Sequence, residues 1–80
     1  MVNVSEIIAV NGIYISQLYA NWYAAEVLVQ REKNFFRIRY PYKSIADAQN
    51  VLNRIKQGQT NIKLPDYRPV VHLMNQGKVL

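Results

Sequence analysis

Two alternating runs, matched in charge as well as in hydropathy, constrain this chain more than any other feature. Ala25, Val27 and Val29 recur at every second position, and Phe36, Ile38 and Tyr40 do the same after Arg31-Glu32-Lys33-Asn34. A period of two belongs to a strand with one buried face. A four-residue loop over 31–34 sets 29 opposite 36, 27 opposite 38 and 25 opposite 40. The other face then sets Glu26 opposite Arg39 and Leu28 opposite Arg37. An opposite-charge pair across the strands supports this register, because a slip of one residue would turn every apolar side chain outward. A hairpin over 24–40, ended by Pro41, is the expectation.

A helix over 44–57 follows. Ser44 is placed to cap it, with Asp47 three residues on as a weaker form of the capping box. Ile45, Ala48, Val51, Leu52 and Ile55 form one apolar stripe at helical spacing, and Gly58 supplies the stop. Upstream, Asn11-Gly12 predicts a type I′ turn in a hairpin over 4–19, pairing Val10 with Ile13 and Ile8 with Ile15. Residues 20–23 read as a corner. Downstream, Pro65 and Pro69 mark 59–69 as a surface loop. Residues 70–74 read as a short strand, and 78–80 as a returning strand or a loose tail. The expected class is α+β: a small antiparallel sheet in the order β-β-β-β-α-β, with one helix packed on one face. The helix stripe should cover Val27, Val29, Phe36 and Ile38. Eighty residues allow one domain, 1–80.

Charge is unevenly placed. Residues 1–30 hold Glu6 and Glu26 and no Lys or Arg, a net of −2. Residues 31–80 hold all ten Lys and Arg against Glu32, Asp47 and Asp66, a net of +7. A one-sided field of this kind attracts an anionic partner, such as nucleic acid or an acidic protein surface, and it also serves solubility. Residues 7–29 lack Lys and Arg, but Asn11, Ser16, Gln17, Asn21 and Glu26 interrupt them, so no membrane span is expected. The start lacks the basic region of a secretory signal, and a cytoplasmic location is the default expectation.

Enzymatic chemistry finds little to build on. No cysteine is present and His72 is the single histidine, so no metal site or cofactor is expected. An outward-facing strand residue accounts for His72. Ser44 is explained as a cap, the five acids are dispersed, and neither a nucleophile elbow nor a glycine-rich phosphate loop occurs. No catalytic residues are assigned.

One constellation has a functional shape. In the register above, Phe35, Arg37 and Arg39 face away from Phe36, Ile38 and Tyr40, with Arg31, Lys33 and Lys43 nearby. Exposed aromatic and cationic side chains on a sheet stack bases and neutralise phosphates. An edge strand guarded by Arg and Lys against aggregation would show the same composition. The expected function is a small basic, non-enzymatic binding module for nucleic acid or another anion, using Arg31, Lys33, Phe35, Arg37, Arg39 and Lys43. The alternative is a structural or adaptor subunit that binds protein, a larger assembly or a second copy of itself. It would use the apolar, tyrosine-rich N-terminal hairpin and the residues after it, with Ile7, Tyr14, Tyr19, Trp22 and Tyr23 as the interface.

Lys33, Phe35, Ile38 and Tyr40 resemble the RNP1 strand of RNA-recognition motifs. Asn34, Phe36 and Arg37 depart from it, and the chain has no room for that family's second helix. Trp22 to Val27 followed by Phe36 to Tyr40 resembles part of a Tudor or chromo-barrel module. Phe36 to Gly58 resembles the strand-turn-helix half of SPOR domains, although Tyr40 stands where a glycine is usual there. These likenesses imply local strand and βα geometry, and no site residue is carried over from them.

Overall fold

The computed structural model describes residues 3–16, 19–65 and 68–69, the last two as backbone. A single 3₁₀ turn, Val4–Glu6, leads into β1 (Ile7–Ile15). Then come β2 (Tyr23–Arg31), β3 (Asn34–Tyr42) and α1 (Ile45–Lys56). A two-residue segment, β4 (Arg68–Pro69), pairs along the outer edge of β3. The three long strands form an antiparallel sheet in chain order, with α1 on one face. The class is α+β. The expected four strands before the helix are not seen, because the first expected hairpin is one continuous strand.

The β2–β3 hairpin has the register that alternation and charge dictate. Val29 faces Phe36, Val27 faces Ile38, Ala25 faces Tyr40, Glu26 faces Arg39 and Leu28 faces Arg37. The loop is tighter than expected. Arg31 pairs with Asn34, leaving only Glu32 and Lys33 to turn, and Glu32 takes the positive φ of 55°. Two-residue hairpin turns need such a backbone to match the twist of their strands.

Asn11-Gly12 does not turn the chain. Both residues lie inside β1, where Val10 faces Val27 and Gly12 faces Glu26, so Asn11 is the extra residue of a β-bulge. A second register shift leaves Ile8 extra between Ile7, opposite Val29, and Ala9, opposite Leu28. Two bulges explain the apolar spacing of β1. Ile7, Val10 and Ile13 recur every third residue, yet all three join the core formed with Ala25, Val27 and Val29. Each bulge absorbs one residue and returns the next apolar side chain to the inner face. The positive φ at Gly12, 140°, is a conformation that glycine adopts without strain. The long strand wins over the hairpin because β2 already offers an apolar face and a full row of backbone partners.

Helix α1 begins as expected. The Asp47 N–H donates to Ser44 Oγ at 3.1 Å. At its end, Gly58 N–H donates to the Ile55 carbonyl and Gln59 N–H to that of Arg54, with Gly58 at φ 82°. This is the Schellman arrangement, and it satisfies carbonyls that the last turn leaves open. Ala48, Val51 and Leu52 are buried against Ile13, Ala25, Val27, Val29, Ile38 and Tyr40, and Ile62 from the following segment closes the core. Ile45 and Ile55 pack at its border.

The helix lies mainly over β1 and β2 and touches β3 less. Phe36, expected beneath it, is therefore left 47% exposed, although Val29 across from it is fully buried. The strand expected at 70–74 and the returning tail lie outside the described residues.

Candidate nucleic-acid interface

The face of the sheet turned away from α1 carries the second set of alternating residues. On β3 these are Phe35, Arg37 and Arg39, and they sit in three different environments. Phe35 is 59% exposed, and Arg37 is also exposed. Both stand on the outer face, two residues apart, on a strand paired to β2 along its whole length. Arg39 is buried. Its Nε donates to Glu26 Oε2 at 2.9 Å, and its guanidinium lies 3.8 Å from the centre of the Tyr14 ring. The Asn11 side-chain amide donates to the other Glu26 oxygen at 2.8 Å. Arg39 thus belongs to a polar cluster, buried at Glu26 and Arg39, that ties β1, β2 and β3 together.

Arg31 is held at the hairpin tip. Its Nε donates to Glu6 Oε2 at 2.7 Å, and Glu6 Oε1 accepts the Asn3 backbone N–H at 2.8 Å. These bonds, the Arg31 contact first, hold the Glu6 carboxyl below its usual range. Lys33 projects at the turn and is exposed. Lys43 follows the far end of β3, roughly 30 Å of extended chain away. Its Nζ sits 5.5 Å from the centre of the Trp22 ring. Of the six residues proposed from sequence, Lys33, Phe35 and Arg37 therefore share one end of the sheet as exposed groups. Arg31 and Arg39 are engaged with carboxylates, and Lys43 lies at the other end.

The tyrosine-rich surface is also divided. Ile7 and Tyr23 pack against the core, and Tyr14 covers Arg39. Trp22 is half-buried and meets the Tyr19 ring at a tilt of 42°, with 4.8 Å between ring centres. Tyr19 stays exposed, as do Ile8 and Ile15 on β1.

Sequence reasoning missed a cleft beside the hairpin tip. It measures about 510 Å³ and is lined by Glu6, Gln30, Arg31, Glu32, Asn34 and the exposed Phe36. The Phe35-Phe36 doublet was the available signal, since neighbours on a strand must face opposite ways. Periodicity alone does not say where the helix stops covering the sheet.

Among the described residues no group of three or more His, Asp or Glu could hold a metal ion, and no helix is long and apolar enough to cross a membrane. Compared with known proteins, the chain matches no family model, no curated protein and no solved structure.

Proposed function

We propose that the protein is a non-enzymatic binding module that engages nucleic acid through the outer face of β3 at the hairpin tip. The observation that carries this reading is the pairing of Phe35, 59% exposed, with exposed Arg37 on one sheet face. A large aromatic ring left in water on a rigid strand costs apolar exposure that folding does not require, and bases recover it by stacking. Arg37 and Lys33 supply cations for phosphates, and the excess of ten Lys and Arg over five acids draws a polyanion toward them. Arg31 and Arg39 serve the fold on this reading, and their ion pairs position the binding strand.

Fluorescence anisotropy with labelled oligonucleotides at low and moderate salt tests this. Affinity should fall steeply with salt, and Phe35→Ala or Arg37→Ala should each weaken it by about five-fold or more. No binding at low salt would retire the proposal. The adaptor reading rests on Ile15 and Tyr19, which are 56% and 42% exposed. An apolar docking surface of that kind would be nearly indifferent to salt.

A further inference from the structure

We infer that the cleft at Phe36 is a second base-stacking position, so that the partner is an unpaired strand that passes around the hairpin tip. The inference rests on the nucleic-acid reading and specifies its ligand. Phe36 is 47% exposed, although it lies on the strand face that supplies the core. Ile38 and Tyr40, on the same face of the same strand, are 5% and 1% exposed, and burial stops abruptly at Phe36. The cleft joins Phe36 to the polar residues Gln30, Glu32 and Asn34 and to the Arg31–Glu6 pair. A planar heterocycle fits that chemistry, with its face on the ring and its donor and acceptor edge toward the amide and carboxylate groups. Arg31 already neutralises Glu6, so Glu32 leaves the lining with one net negative charge, which disfavours a phosphate there; a base enters and the backbone stays outside, near Lys33.

Phe35 and Phe36 are consecutive and face opposite sides of the sheet. Only two residues turn the chain beyond them, so a strand can pass from one side to the other around Glu32 and Lys33. Duplex bases are stacked about 3.4 Å apart and locked in pairs. They cannot reach two rings that point to opposite sides of one sheet. A single strand can splay successive bases onto both rings.

The test compares a single-stranded oligonucleotide containing 2-aminopurine with a blunt duplex of the same sequence, for the wild type and for Phe35→Ala, Phe36→Ala and Phe36→Trp. Phe36 is half-exposed, so its replacement leaves the core intact. The single strand should bind at least ten-fold tighter than the duplex, and binding should quench 2-aminopurine emission. Phe36→Ala should weaken single-strand binding by about five-fold or more, and Phe36→Trp, which keeps a stacking face, should restore it. Equal affinity for duplex and single strand, or wild-type binding by Phe36→Ala, overturns the inference. If Phe35→Ala still weakens binding in that case, the outer-face reading survives. Absence of binding to either oligonucleotide overturns both.

Discussion

Arg39 and Glu26 face each other across β2 and β3 with Nε and Oε2 2.9 Å apart, and both are nearly sealed from water, on the side of the sheet that the helix does not cover. Tyr14 lies over the guanidinium, and Asn11 occupies the second carboxylate oxygen. A buried pair of this kind contributes little net stability relative to apolar packing, but losing one member strands a charge. Glu26→Ala should therefore cost about 3–5 kcal/mol, comparable to the whole stability of a chain this size. Replacing both residues together, Glu26→Leu with Arg39→Met, should restore most of that loss. Urea unfolding of the three proteins measures this, and a Glu26→Ala midpoint equal to the wild type would contradict the account.

Ile38 and Val51 meet in the core from the sheet and the helix, and each is buried. An aspartate at either position would lie in the apolar cluster that holds Ala25, Val27 and Leu52. The transfer cost of such a charge exceeds the stability available. Ile38→Asp and Val51→Asp should each lack a cooperative thermal transition by circular dichroism. A retained transition in either would mean that the helix stripe faces elsewhere.

The sequence made legible those parts of the molecule in which two independent signals agree. Alternation and the Glu26–Arg39 charge match select one register for β2 and β3, and that register is present. Ser44 and Gly58 bracket a stripe at helical spacing, and the helix lies between them. Asn11-Gly12 carried a single signal, and it misled. Its turn preference comes from positive φ at glycine, and a bulge uses the same freedom inside a strand. Ile7, Val10 and Ile13 hold a clue in their spacing of three, which suits neither a regular strand nor a full helical face. The candidate site was half legible. Facing could be read from parity, so Phe35 and Arg37 were placed outward. Burial could not, because it depends on Tyr14 reaching over Arg39 and on the helix stopping short of Phe36.

Tyr42 carries a buried hydroxyl with no hydrogen-bond partner among the described residues. Burial first, then the nearby Tyr40 and Asp47, push its pKa up to about 12 from an ordinary value near 10. The folded state thus holds this proton more tightly than the unfolded state does. Its contribution to stability is complete below pH 10 and is lost as pH rises through about 12. Phe at this position has no proton to lose. Tyr42→Phe should match or slightly exceed the wild type at neutral pH, since it removes an unsatisfied polar atom. Between pH 10 and 12 the variant should gain on the wild type. Denaturant midpoints that stay parallel across that range would show that Tyr42 titrates normally in the fold.

Gly12 gives the most direct test of the bulged strand. Its φ of 140° lies where an L residue is strained, and its neighbour Asn11 is the bulge residue that reaches Glu26. Gly12→Ala should cost about 1–3 kcal/mol through the backbone. D-alanine, introduced by chemical synthesis, favours positive φ and should recover much of that loss. Asn11→Asp should be worse than Asn11→Ala. It sets a second carboxylate against the buried Glu26, whereas alanine removes only one hydrogen bond to that carboxylate, worth about 1.5–3 kcal/mol. A type I′ turn at this position would give the opposite order, because aspartate followed by glycine is a favoured turn pair and alanine is not. Thermal unfolding of Asn11→Asp and Asn11→Ala therefore decides between a bulge that carries the strand onward and a turn that ends it.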